Sequence, residues 1–185
     1  GEANLLKSLI LYVDMDSTRK PEEKNLPAVY QMITQNTEKE LTMIFDRLPL
    51  DHPAKAPYSL FSQGSDAVRA GIVLGLGTRL QVLQSEAVRQ ITRRSDIDLS
   101  LPGKQKCAYF IILDDQNSSL EFLSSLFFVF LFIKLVRYAD SMPEQRCKVP
   151  VNIILDEMNN IGVIPDFGRR LSTVRSRACL LYTSD

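Results

Sequence analysis

Histidine and cysteine are scarce in this sequence of 185 residues, in which His52 is the single histidine and Cys107, Cys147 and Cys179 are the cysteines. A structural zinc site takes four Cys or His ligands, usually in closely spaced pairs. The three cysteines contain no CxxC spacing, so this composition argues against a structural zinc site. We interpret them as reduced thiols of a cytosolic chain.

An excess of either charge is also missing, because 22 basic residues balance 22 acidic ones. A neutral chain has no overall attraction to nucleic acid or to a membrane, so any such contact must be local. Hydrophobic residues make up 45% and charged residues 24%, which is ordinary for a globular protein. The length suits one ordinary domain or two small ones.

No initiator methionine, signal-peptide pattern, internal repeat or low-complexity tract is present. The chain opens inside the amphipathic pattern "ANLLKSLILYV" and closes on the apolar run "CLLYTSD". We therefore interpret it as an internal fragment of a longer protein.

One long apolar run, residues 120–139, raises the alternative of a membrane span. A spanning helix needs about 20 apolar residues. Glu121 and Lys134 leave only the 12 uncharged positions between them, and the capping box from Ser118 to Glu121 marks a helix start. We predict the core helix of an α/β domain rather than a membrane span.

Residues 1–94 follow the pattern of helices. Thr37 and Glu40 form a capping box, and Ser65 and Ser85 stand at the expected starts of two further helices. Three prolines in residues 49–57 predict a loop. Three glycines weaken the helix predicted after Ser65, and we interpret them as sites of close helix packing: Gly71, Gly75 and Gly77.

From about residue 95 the pattern changes to that of an α/β domain. Residues 107–114 and 149–156 are short apolar runs separated by the long helix, which predicts a βαβ unit with parallel strands. Their unbroken apolar character predicts helices on both faces of the sheet. A basic helix is expected from Pro165 to near Ala178, and "CLLYT" as the start of a third strand.

Two adjacent carboxylates, Asp156 and Glu157, end the apolar run of residues 151–155. Ligands of parallel α/β sheets bind beyond the carboxyl ends of the strands. There an Asp can hold Mg²⁺, directly or through water, while the Glu activates an attacking water, as in the Walker B motif of P-loop NTPases. The alternative is an ordinary strand end whose acids cap the next turn.

The phosphate-binding partner of such a motif, GxxxxGK[ST], is not in the chain. Gly103-Lys104 has no following Ser or Thr, and "GLGTRL" has no lysine, so the segment carries no phosphate cradle of its own.

Other polar groups have simpler interpretations. The pair Asp96 and Asp98 fits a solvated loop better than a metal site, and His52, between prolines, fits a surface loop. Four arginines form either a solvated helix face or a phosphate-binding stripe. Their spacing does not decide between the two, and they are Arg169, Arg170, Arg175 and Arg177.

The stretch "VPVNIILDEMNNIGVIPDFGRRLSTVRSR" resembles the Walker B region of type IV secretion coupling proteins, the TraG/TraD-like ATPases of conjugation. The resemblance lies in a strand ending in Leu-Asp-Glu, a turn with Asn and Gly, an Ile-Pro-Asp-Phe helix start and a Thr-x-Arg-Ser-Arg end. The matching positions are Leu155, Asp156, Glu157, Asn160, Gly162, Ile164, Pro165, Asp166, Phe167, Thr173, Arg175, Ser176 and Arg177.

Upstream segments are similar to the same family, so that nearly the whole chain is covered. The resemblance implies an α/β fold that forms part of a RecA-like P-loop NTPase core, with a parallel sheet and helices on both faces, preceded by an all-α domain. Residues 1–94 would be the all-α domain, inserted in the motor, and residues 95–185 the C-terminal part of the nucleotide-binding domain.

The implied function is that of an ATP-driven DNA translocase that delivers single-stranded DNA and its relaxase to a type IV secretion channel. The family implies a homo-hexamer at the cytoplasmic face of the bacterial inner membrane. When the family's residue roles are carried over to this sequence, Asp156 would hold Mg²⁺ and the bound ATP, and Glu157 would activate the attacking water. Thr173, Arg175 and Arg177 would face a neighbouring subunit or the DNA path.

Two departures limit this expectation. Without a P-loop or a membrane anchor, the fragment is expected to be soluble and inactive as an ATPase on its own. The tail after Cys179 departs from the family pattern, so no function is placed on it. The alternatives are another RecA-type or AAA-type DNA translocase or helicase, such as a chromosome-partition motor, and a non-catalytic adaptor that binds cargo.

Overall fold

The computed structural model describes residues 1–113, 121–156 and 161–183. The chain divides into two units, Gly1–Ser95 and Asp96–Asp185. Each unit has its own buried apolar cluster.

The first unit is built from helices joined by short turns. They are α1 (Glu2–Met15), α2 (Leu26–Gln35), α3 (Glu38–Asp46), α4 (Lys55–Ser62), α5 (Asp66–Arg79) and α6 (Glu86–Thr92), with 3₁₀ turns at Pro21–Glu23 and Gln81–Gln84. The helical pattern predicted for this half of the chain is confirmed.

The core of the first unit lies around α1, whose Leu5 and Leu9 are fully buried at helical spacing. The Phe45 ring of α3 stacks on the Tyr58 ring of α4, with centroids 4.1 Å apart and planes 5° apart. Burial raises the pKa of Tyr58, while its hydroxyl shares a hydrogen bond of 2.9 Å with the Thr42 hydroxyl. The buried phenol therefore keeps a polar partner, as buried tyrosines usually do.

The predicted helix starts in this unit differ in what their side chains do. The capping box at α3 is confirmed, since Thr37 Oγ1 accepts from the Glu40 amide at 3.3 Å and Glu40 accepts from the Thr37 amide at 2.6 Å. Ser65 and Ser85 occupy the N-cap positions of α5 and α6, but within this fully described unit their side chains make no capping hydrogen bond.

The loop predicted for residues 49–57 is too long. Lys55 and Pro57 already belong to α4. A proline in the first turn of a helix costs little, because the amide that it removes has no partner within the helix.

The three glycines do not interrupt α5, but close packing does not explain all of them. A Cβ built on Gly77 would lie 3.5 Å from Ile33 Cγ2, and one on Gly75 would lie 2.8 Å from Glu2 Oε1. A Cβ on Gly71 would meet no described atom within 4 Å, so the packing interpretation is wrong at that position.

The second unit holds a small parallel sheet. Its described elements are α7 (Leu101–Lys104), α8 (Glu121–Asp140), β1 (Val151–Leu155), α9 (Phe167–Ser176) and β2 (Cys179–Thr183). β1 and β2 pair in parallel from Val151 with Cys179 to Leu155 with Thr183. The chain is therefore mixed α/β and mostly helical, and the strand predicted at "CLLYT" is confirmed.

The long apolar helix α8 packs in the core of this unit. Phe128, Leu131, Phe132, Leu135 and Ala139 are buried in one cluster with β1, β2 and α9. By length and composition, α8 is the one helix in the described chain that could cross a membrane. Of its most apolar 18-residue stretch, 33% is buried. Its core contacts agree with the predicted core helix. Ser118, which was expected to cap it, lies outside the described residues.

The first predicted strand is wrong over its described part. Residues 107–113 have no regular structure, and Phe110 and Ile112 are 92% and 96% exposed. An apolar run becomes a strand only when a neighbouring strand takes up its amides and carbonyls, and β1 pairs in the described chain with β2 alone. The βαβ unit that forms is instead β1–α9–β2.

Helices on both faces of the sheet are likewise not found in the described part of the chain. Val151, Ile153 and Leu155 of β1 face the buried cluster, whereas Ile154 is 78% exposed. On β2, Tyr182 pairs with Ile154 and is 52% exposed. One face is covered and the other is open, because no further described helix packs there.

Candidate functional site

The carboxyl ends of β1 and β2 meet at one edge of the sheet, since the strands are parallel. Asp156 follows β1 directly and its side chain is exposed. Ligands of open parallel sheets bind beyond this edge. Glu157, the predicted catalytic residue, lies outside the described residues.

Asp156 offers one carboxylate to a metal ion at this edge of the sheet. The described residues contain no group of three or more His, Cys, Asp or Glu side chains able to hold a metal ion. Mg²⁺ takes oxygen ligands and keeps several waters, so one or two carboxylates and substrate phosphates suffice. Asp156 would supply such a carboxylate, while a phosphate cradle is not present in the sequence.

Helix α9 places the three predicted interface residues in different surroundings. The Thr173 hydroxyl donates to the Arg169 carbonyl at 2.9 Å, one turn back in the helix. Arg175 is exposed and has no ion-pair or hydrogen-bond partner among the described residues. Arg177 donates from Nε and Nη2 to Asp140 Oδ1, at 3.1 and 3.0 Å.

A cleft of about 350 Å³ opens between α8 and α9. Its apolar lining is Phe132, Ile133, Val136 and Val174. Its polar lining is Arg137, Asp166, Arg169, Arg170 and Thr173. Of the predicted site residues, Thr173 lines this cleft, whereas Asp156, Arg175 and Arg177 do not.

The arginines of the cleft come from two helices. Arg170 Nε donates to the Pro165 carbonyl at 2.9 Å, which leaves the two terminal nitrogens of Arg170 available to donate to a ligand. Arg137 and Arg169 are exposed and form no ion pair with a described residue. The sequence drew attention to Arg169 and Arg170 as part of a basic helix, but it carries no signal for Arg137, which joins them only through the packing of α8 on α9.

Two buried cysteines lie at the amino end of the sheet. Cys147 Sγ is 3.8 Å from Cys179 Sγ, and both thiols are free. Burial raises the pKa of Cys147, and burial together with the nearby Cys147 raises the pKa of Cys179 to about 12. Both thiols are therefore protonated at neutral pH, in agreement with a structural role in the core.

The model of the type IV secretory system conjugative DNA transfer family matches residues 1–183 of the chain. The chain therefore belongs to this family, and the resemblance to TraG/TraD-like coupling proteins is confirmed. Searches among curated proteins and among solved structures found no significant match. The family associates the chain with conjugative DNA transfer in type IV secretion.

Proposed function

We propose that the chain is part of the motor of an ATP-driven coupling protein that moves single-stranded DNA into a type IV secretion channel. The observation that carries the proposal is the position of Asp156. It stands at the carboxyl end of a buried parallel strand in a chain that matches the conjugative transfer family over residues 1–183. In such sheets this edge is where a nucleotide binds.

Within this proposal, Asp156 would hold Mg²⁺ through water, and Glu157 would orient and deprotonate the attacking water. When bound, ATP would provide the phosphoryl group that is attacked, and Mg²⁺ would offset the negative charge on the phosphate oxygens. The carboxylate of Asp156 is exposed at the strand end, and Mg²⁺ that retains several waters needs few protein ligands. The phosphate cradle has to come from sequence outside this chain.

Helix α9 supplies the proposed contact with DNA or with a neighbouring subunit. Arg175 is the best candidate, because it is exposed and its charge is unpaired among the described residues. Arg177 is partly committed to Asp140, so in this proposal it also anchors the end of α9 to the end of α8. Thr173 lies on the face of α9 that lines the cleft.

The proposed partners are single-stranded DNA, the relaxase attached to it and the proteins of the secretion channel, and the proposed assembly is a homo-hexamer. The proposed location is the cytoplasmic face of the bacterial inner membrane. The family match favours conjugative transfer over a chromosome-partition motor or a helicase.

The test is Glu157→Gln in the full-length protein that contains this chain. Loss of the general base is expected to lower ATP turnover about 100-fold or more while ATP affinity changes little. Turnover is measured by phosphate release and affinity by equilibrium titration with labelled ATP. Glu144→Gln, at an exposed acid of the same unit, is the matched control and should behave as wild type. Wild-type hydrolysis in Glu157→Gln would remove this residue from the mechanism.

A further inference from the structure

We infer that the cleft between α8 and α9 binds a phosphodiester of single-stranded DNA through Arg137 and Arg169, supported by Arg170. The inference rests on the proposed function for the identity of the ligand. The residues that carry it differ from the carboxylates and from Arg175, which carry the proposed motor function.

Charge is the first argument. Arg137, Arg169 and Arg170 line the cleft with a single acid, Asp166, which leaves a net charge of two positive on a chain that is neutral overall. Contacts with a polyanion by a neutral protein must be local, and this lining is such a local concentration. Arginine forks match the spacing of phosphate oxygens.

Availability of the charges is the second argument. Arg19, Arg69, Arg79, Arg89 and Arg177 each pair with a carboxylate inside their own unit. Within residues 1–113, 121–156 and 161–183, the three arginines of the cleft form no such pair, although Asp166 shares the cleft with them. An external anion therefore does not have to displace an internal carboxylate.

The shape of the cleft is the third argument. A volume of about 350 Å³ is at the small end of ligand sites, which run from about 300 to 1,000 Å³, and suits one nucleotide unit. Phe132 and Val174 are only 1% exposed, so the partly exposed Ile133 and Val136 are the apolar side chains of the lining that a ligand can contact. A lining that combines arginines with apolar side chains suits a ligand with a charged phosphate and a less polar sugar and base.

The experiment measures binding of a fluorescein-labelled oligo-dT of about 20 nucleotides, long enough to span one site. Fluorescence anisotropy is followed across a salt titration for wild type, Arg137→Ala/Arg169→Ala and Arg137→Lys/Arg169→Lys. These two positions are chosen because they have no ion pair in the described chain to lose. Arg146→Ala, at an exposed arginine of the same unit outside the cleft, is the control, and a thermal melt checks each variant for folding.

The alanine pair is expected to lower affinity on the order of tenfold and to reduce the salt slope by about 0.7 for each phosphate that the protein no longer neutralises. The lysine pair should keep the slope, since charge is retained, but bind more weakly than wild type, since a lysine has no planar fork. Arg146→Ala should match wild type. A merely structural role for the two arginines would leave the slope unchanged.

Several results would overturn the inference. If the alanine pair binds DNA with wild-type affinity and slope, the cleft does not bind DNA. If inorganic phosphate or dTMP binds at the cleft but the oligonucleotide does not, the site takes small anions only. If an oligoglutamate peptide binds there in place of DNA, the partner is an acidic protein.

Absence of any DNA binding by the wild-type chain would also overturn it. In each of these cases the Glu157→Gln measurement is unaffected, since it reports hydrolysis at the edge of the sheet. Failure of the cleft proposal and failure of the motor proposal are therefore distinguishable.

Discussion

Thr37 and Glu40 hold each other's backbone amides at the start of α3, and this exchange uses two donors that the helix itself cannot satisfy. The accepted hydrogen bonds from the Thr37 amide and hydroxyl lower the pKa of Glu40, so its carboxylate remains charged into moderately acidic solution. A single side-chain pair thus determines where α3 begins.

Thr37→Ala is expected to lower the free energy of unfolding of the first unit by about 1 kcal/mol, the usual effect of losing a capping side chain. Chemical denaturation followed by circular dichroism measures it. Ser65→Ala is the control, because Ser65 also stands at an N-cap but makes no capping hydrogen bond within the fully described first unit. Equal losses from both substitutions would contradict the capping explanation.

Arg175 and Arg177 show how two arginines of one motif receive different surroundings. The Arg177 side chain is 27% exposed and contacts Asp140 with two nitrogens, whereas Arg175 extends into solvent. A partly exposed ion pair stabilises a fold by only about 1 kcal/mol or less. The contact therefore orients Arg177 more than it contributes to stability.

Helix α5 forms although glycine occurs three times within it, because buried Leu76 and its partly buried neighbours hold one face against the core. Tertiary packing of this kind regularly outweighs intrinsic helix propensity. The three glycines of α5 then differ in the atoms that a Cβ would meet at each position.

Gly71→Ala should stabilise the first unit by about 0.5–1 kcal/mol, since alanine lowers the entropy of the unfolded chain and no described atom obstructs its Cβ.

Gly162→Ala should destabilise the second unit by about 1–2 kcal/mol. Gly162 has a φ of 79° and a Cβ there would lie 3.2 Å from the Glu121 carbonyl oxygen. Denaturation midpoints measure both, and a loss of stability in Gly71→Ala would contradict an open environment at that position.

The two-stranded sheet is the element that is least complete in the described chain. Ile154 and Tyr182 form an exposed apolar pair on its outer face. Parallel sheets are normally covered on both faces by helices, so this face is where further structure would pack.

Two separate apolar clusters, one in each unit, are the main feature of the molecule as a whole. Leu9 belongs to the first and Leu135 to the second, and both are fully buried. Because a core substitution acts through the side chains that it contacts, each cluster should respond on its own.

Leu9→Ala and Leu135→Ala are each expected to cost about 2–5 kcal/mol in the unit that contains them. Hydrogen exchange with mass spectrometry measures this by peptide. Leu9→Ala should speed exchange in Gly1–Ser95 and leave Asp96–Asp185 near wild type, and Leu135→Ala should do the reverse. Faster exchange spread equally over both units in either variant would show that they unfold as one.

Much of this architecture was predictable from local pattern. Most helices of the first unit, the α3 capping box, the strand of residues 151–155 and the helix after Pro165 each follow from residues close together in the chain. Helical hydrogen bonds and caps join residues three or four apart, so their signals are local. Asp156 was placed at a strand end by the same means, and the position of Glu157 lies outside the described residues.

The sequence by itself therefore determined most of the helices, the positions of β1 and β2, and the family to which the chain belongs. Only the tertiary structure decided that residues 107–113 stay outside the sheet, that one face of the sheet is open, and that Arg137 joins Arg169 in one cleft. The physical reason is that strand pairing, burial and charge clustering depend on partners distant in the chain, and a local pattern does not specify which partner is available.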